Sequence, residues 1–202
     1  GKHWQYKPLS KLISGWSVSS FLNWQSGTPF SILSSRGTLN RTGGTRSDWN
    51  TATSLVDKDS LDQKVGFFQT GNGPYFVSRS VVNPADGRGV AADGRPLFDG
   101  QVFLNPEPGT IGGLQRRMFS GPWTFGMDVG IQKATQITER QSIELRMEVG
   151  NIFNHATFYV GDEGVSPPGS LARFNINNPT FGVINSMFND RRVIQFGLYY
   201  RF

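Results

Sequence analysis

The chain has no cysteine among its 202 residues, which removes disulfides and thiolate metal sites from consideration. It has no run approaching the roughly 20 apolar residues that a membrane-spanning helix requires. Hydrophobic residues make up 37% and the mean hydropathy is −0.35, which excludes a helical membrane protein. Only two histidines occur, His3 and His155, and neither stands in a metal-ligand or triad spacing. No enzymatic chemistry, cofactor or metal is therefore expected. The 20 basic and 15 acidic residues give a net charge of +5 without any Lys/Arg run, so nucleic acid is not an expected partner. Gly1 is followed by no basic, apolar and cleavage pattern, so either an export signal was removed or the chain belongs to a longer one. The second of these is the expectation.

What the chain does have is glycine, aromatics and alternation. The 25 Gly, 16 Phe and 5 Trp favour a turn-rich β protein. Side chains alternate faces along a strand, so Ile194, Phe196, Leu198, Tyr200 and Phe202 share one side of a stretch spanning 191–202. Val193, Gln195, Gly197, Tyr199 and Arg201 share the other. Such a strand suits a membrane barrel, in which lipid takes the place of a core.

Three further stretches show the same alternation. In about 14–25, Trp16, Val18, Ser20, Leu22 and Trp24 oppose Ser17, Ser19, Phe21, Asn23 and Gln25. The two Trp lie about 26 Å apart along a strand, and a tilt near 40° brings this to about 20 Å of height. That is close to the spacing of two aromatic girdles, and Trp123 is a third girdle candidate. In about 122–134, Trp123, Phe125, Met127, Val129 and Ile131 oppose Thr124, Gly126, Asp128, Gly130 and Gln132. Lys133 ends the apolar series, where its stem could reach out of a bilayer. In about 140–151, Ile143, Leu145, Met147 and Val149 oppose Ser142, Glu144, Arg146 and Glu148.

Charge sorts with the polar side. Asp128, Glu144, Arg146 and Glu148 all avoid the apolar face, where a mid-bilayer Arg or Lys costs about 2–4 kcal/mol. These four are read as charge pairs on a barrel's lumen wall, and Glu144-x-Arg146-x-Glu148 as a paired wall in preference to an acid/base ladder. A hairpin centred on Ile137 would set Asp128 across from Arg146 and Gly130 across from Glu144.

The stretches 26–120 and 153–190 are rich in turn residues and poor in periodicity, as long extracellular loops would be. A short strand is conceivable at Thr180–Ile184. Asp86-Gly87-Arg88, Asp93-Gly94-Arg95 and Asp99-Gly100 match no EF-hand spacing and read as turns. Tyr75, Phe76 and Trp123 could meet a sugar or chelate at an outer rim, but packing or girdle roles are preferred. His155 is assigned a structural or loop role, and no solute-binding residue can be named.

Several motifs carry a family resemblance. They are Gly15-Trp16, Gln25-Ser26-Gly27-Thr28-Pro29-Phe30, Arg116-Arg117 before Gly121-Pro122, then Asp128, Lys133 and Glu139. Leu145-Arg146-Met147-Glu148-Val149-Gly150-Asn151-Ile152-Phe153-Asn154-His155 follows, and then Thr180-Phe181-Gly182, Arg191-Arg192 and the ending Gln195-Phe196-Gly197-Leu198 to Phe202. In this order they resemble the C-terminal end of a TonB-dependent outer-membrane receptor of the Oar-like group, whose members carry a carboxypeptidase-regulatory-like domain. The resemblance covers most of the chain outside 31–100. It implies an all-β fold: the last four antiparallel strands of a transmembrane β-barrel of about 22 strands, with two long extracellular loops.

By the same resemblance the whole protein would sit in the outer membrane of a Gram-negative cell and take up a scarce solute, a siderophore or glycan for example. Its partners would be the missing N-terminal strands and plug, the TonB complex acting through that plug, the lipid bilayer and the outer-membrane assembly machinery. The terminal Ile194, Phe196, Leu198, Tyr200 and Phe202 resemble the signal that this machinery reads. Two other readings stand beside it: a passive porin-like barrel, and a soluble β-sandwich module binding carbohydrate.

Overall fold

In the computed structural model, residues 12–36, 38, 49–160, 170–187 and 191–202 are described. His3, the lead-in before Leu12 and Pro167-Pro168 lie outside them. The chain divides into two compact units. The first is a four-stranded antiparallel sheet. The second is assembled from Ser26–Thr124 and Phe158–Met187.

The sheet contains the four alternating stretches in their sequence order: Trp16–Gln25, Thr124–Gln136, Ser142–Gly150 and Val193–Arg201. At 10, 9 and 9 residues the first, third and last match the roughly 9–11 residues with which a tilted strand crosses a bilayer, and the second, at 13, exceeds it. Among the described residues, the first and last of them form the two edges of the sheet. The first strand begins at Trp16, two residues later than the pattern suggests. Gly15 sits there at φ 79, and a Cβ on it would lie 2.2 Å from the Ala134 carbonyl oxygen. Only glycine permits both the angle and the approach.

The register of the central hairpin departs from expectation. Gly130 faces Glu148, Gln132 faces Arg146 and Ala134 faces Glu144, so Asp128 and Arg146 are not partners. The reason is the turn. Thr135 and Gln136 continue the ladder, and the reversal occupies Ile137–Gln141, closed by the Ile137 amide donating to the Gln141 carbonyl at 2.9 Å. Its centre is therefore Glu139, and each residue meets a partner four positions beyond the expected one. Four is even, so every side chain keeps its face.

The two long stretches poor in periodicity supply a unit with its own core. Its strands pair in twos over two residues each, except the hairpin Val65–Thr70 with Gly73–Val77. The α-helix Lys58–Lys64 is started by Asp57, whose carboxylate accepts the Ser60 amide at 2.7 Å and is held below its usual pKa by that bond. Both loop segments contribute to one core of Phe30, Ile32, Phe76, Phe103, Phe174 and Phe181, all fully buried. The Phe76 ring lies 4.9 Å from Phe30, 5.3 Å from Phe174 and 6.0 Å from Phe181. Backbone bonds join the segments as well: the Phe76 amide donates to the Gly182 carbonyl and the Gly89 amide to the Ile176 carbonyl.

Thr180–Ile184 is a turn and not a strand. Gly182 takes φ 83, and the one ladder contact there is the bridge between Val183 and Tyr75. The strand lies just beyond, at Ser186–Met187, paired with Phe158–Tyr159. The Asp-Gly stretches are turns as expected, with Gly87, Gly94 and Gly100 at φ 76, 74 and 86.

Candidate functional site

The two faces of the sheet divide its residues by chemistry. On one face Val129, Val149 and Ile194 form a row, followed by Ile131, Met147 and Phe196, then Lys133, Leu145 and Leu198, then Thr135, Ile143 and Tyr200. The opposite face carries Gly130, Glu148 and Gln195, then Gln132, Arg146 and Gly197, then Ala134, Glu144 and Tyr199. Phe196 is 78% exposed and Phe202 94%, whereas Glu144 is only 5% exposed. This inverts the rule of a water-soluble sheet, where phenylalanine is covered and glutamate is wet. A surface so arranged is built for an apolar surrounding on one side and a polar interior on the other.

Glu144 is the hub of the polar wall. It accepts from Arg146 Nε and, at 2.9 Å, from Arg201 Nη2. The Arg146 guanidinium lies 5.0 Å over the Tyr199 ring, a cation–π contact. Glu148 lines the same face beside Ser19, Gly130 and Gln195. Its carboxylate engaged by two guanidiniums makes Glu144 one side of a charge-assisted pairing. Arg201 and Tyr199 were not singled out by sequence reasoning, although both stand on the polar parity of the terminal strand.

Asp128 has a different role from the one expected. Its Oδ1 accepts the Asn151 amide at 2.8 Å, at the end of the third strand. The Ile152 amide donates to the Met127 carbonyl, and the Phe125 and Phe153 rings stand 5.4 Å apart. Asn151 brackets His155, accepting its amide at 3.2 Å and donating to its carbonyl at 3.3 Å. Asn154 Oδ1 accepts the Arg192 amide at 3.1 Å. The Asn-Ile-Phe-Asn stretch thus ties three strands together through their backbones, and His155 is part of that loop structure.

Lys133 does not extend outward. It is buried, and its Nζ donates to the Leu12 and Ser14 carbonyls at 3.0 and 2.9 Å, with the ammonium 4.9 Å over the Trp16 ring. A lysine at the edge of an apolar face usually extends its stem toward water. Here the carbonyls left open ahead of the first strand supply the polar partners. Trp16 and Trp24 are both exposed at opposite ends of that strand, and Trp123, one residue before the second strand, is exposed too. Tyr75 and Phe76 are core residues of the second unit, so packing and not ligand contact accounts for them. In the same unit burial lowers the Arg173 guanidinium from its ordinary pKa.

No curated protein and no solved structure matches the chain. A family model described as an outer membrane beta barrel domain matches residues 1–195, nearly the whole of it. That model and the inverted sheet agree, and the soluble sandwich is set aside. The chain belongs to the outer membrane beta barrel domain family, and its place is the cell's outer membrane.

Proposed function

We propose that the chain is the C-terminal wall of a TonB-dependent outer-membrane receptor that takes up a scarce solute, such as a siderophore or glycan, without enzymatic chemistry. The observation that carries the reading is the inverted sheet with two open edges, seen together with the ordered motifs of the Oar-like group. Unpaired strand edges in a bilayer leave backbone groups unsatisfied, and in this reading further strands of the same barrel flank these four. Glu144, Arg146 and Glu148 then line the lumen, where a plug would meet them, and the TonB complex would act on that plug. Trp16, Trp24 and Trp123 serve as girdle residues in the same reading.

The terminal strand has two roles in this proposal, barrel closure and recognition by the assembly machinery. Deleting Phe202 from the full-length protein should lower its level in the outer membrane; unchanged insertion would remove the recognition role. Uptake is tested by comparing cells with and without a working TonB complex. Solute accumulation or solute-dependent growth should disappear with TonB. Accumulation that persists without it would make the protein a passive porin-like barrel.

A further inference from the structure

Alternation decides which face of a strand meets lipid, yet it is blind to a slip of two residues, which leaves every side chain on its own face. The second and third strands escape this ambiguity through the short turn Ile137–Gln141. The third and terminal strands are joined by the long segment 151–192, whose length dictates no register. Something else must hold Gly150 opposite Val193.

We propose that Asn154 is a positioning residue that sets the register of the terminal strand against the third. The Asn151–Asn154 turn follows directly on the third strand, and Asn154 stands in the left-handed region at φ 48. Its Oδ1 takes the amide of Arg192, the residue immediately before the terminal strand, at 3.1 Å. Arg192 Nη1 returns a bond to the Ile152 carbonyl at 3.4 Å. The turn cannot drift, because Asp128 and Met127 of the second strand hold the amides of Asn151 and Ile152. Arg192 is therefore pinned at one offset from Gly150, and a slip of two residues breaks both of its bonds.

The other pair joined by a long segment has an independent lock of the same kind. The first strand is held to the second by Lys133 on the Leu12 and Ser14 carbonyls and by the Ala134 amide on the Gly15 carbonyl at 2.9 Å. Polar clasps thus supply the register where connection length cannot. The inference concerns strand placement and stands whether or not the uptake reading holds.

The test is cross-strand disulfide formation in the full-length protein in outer-membrane vesicles, read on the heat-modifiable folded band. The chain contributes no native cysteine. Glu148→Cys with Gln195→Cys reports the native register, since these residues face each other. Glu148→Cys with Val193→Cys or Gly197→Cys reports a slip of two in either direction. Asn154→Gly keeps the left-handed backbone and removes the acceptor, whereas Asn154→Asp keeps both.

We expect Asn154→Gly to raise slipped product several-fold at the expense of native product, and Asn154→Asp to behave as the native protein. Arg192→Pro deletes the same bond from the donor side and gives a second reading at the start of a strand, where proline is tolerated. Native product alone in the folded band of both Asn154→Gly and Arg192→Pro overturns the proposal. Should neither variant insert, the same products in detergent-refolded protein decide it.

Discussion

Phe196 and Phe76 are the same side chain under opposite rules: the first is 78% exposed in the terminal strand, the second is fully buried in the loop-built unit. In the sheet the stabilising medium is outside the protein, and the polar residues turn inward to Glu144 and its guanidiniums. In the second unit the aromatics of two distant segments close on one another, as in the core of a water-soluble protein. One chain thus contains a membrane-type surface and a water-type core. A substitution tells them apart by where it hurts.

The largest effect is expected from Phe76→Ala. Removing a ring packed against Phe30, Phe174 and Phe181 should cost about 3–5 kcal/mol, enough to open the second unit. Limited proteolysis should then cut within 26–124 and 158–187, while the folded band of the full-length barrel still shifts on heating. A protease-resistant variant would show that the aromatic cluster is not the unit's core.

Phe196→Arg comes next. It puts a guanidinium on the lipid face and should cost about 2–4 kcal/mol near the bilayer centre, whereas Gln195→Arg on the polar face should be tolerated. The comparison is read as folded fraction against urea in lipid vesicles. Equal losses for the two would mean that the faces are wrongly assigned.

The smallest effect concerns Asp57 in the second unit. Its folded-state pKa lies below the unfolded value of 3.8, so its capping contribution is complete above that value. The contribution is lost as pH falls through the lower folded value. Amide protection at Ser60 should weaken in that acid range in the native protein but stay flat in Asp57→Ala. No difference between the two would remove the cap from the account.

The four strands and both faces of the sheet were legible because a period of two survives any uncertainty about neighbours. Trp16–Gln25 and Val193–Arg201 need only their own alternation to be recognised. The second unit was not legible. Phe30, Phe76, Phe103, Phe174 and Phe181 follow neither a period of two nor one of 3.6, since most of its strands are two residues long. Its core exists only once segments far apart in the chain meet.

The polar wall divides in the same way. That Asp128, Glu144, Arg146 and Glu148 share one face follows from their even numbers along strands of matching parity. Which of them touch does not. The turn at Ile137–Gln141 displaced the expected Asp128–Arg146 pair; Glu144 instead engages Arg146 of its own strand and Arg201 of the terminal strand, and Asp128 takes the Asn151 amide. Local alternation by itself determined the face of each residue, because side-chain direction in a strand depends only on the residue's own backbone. Partnership was decided by tertiary structure alone, because register depends on turns and clasps that join residues distant in the chain.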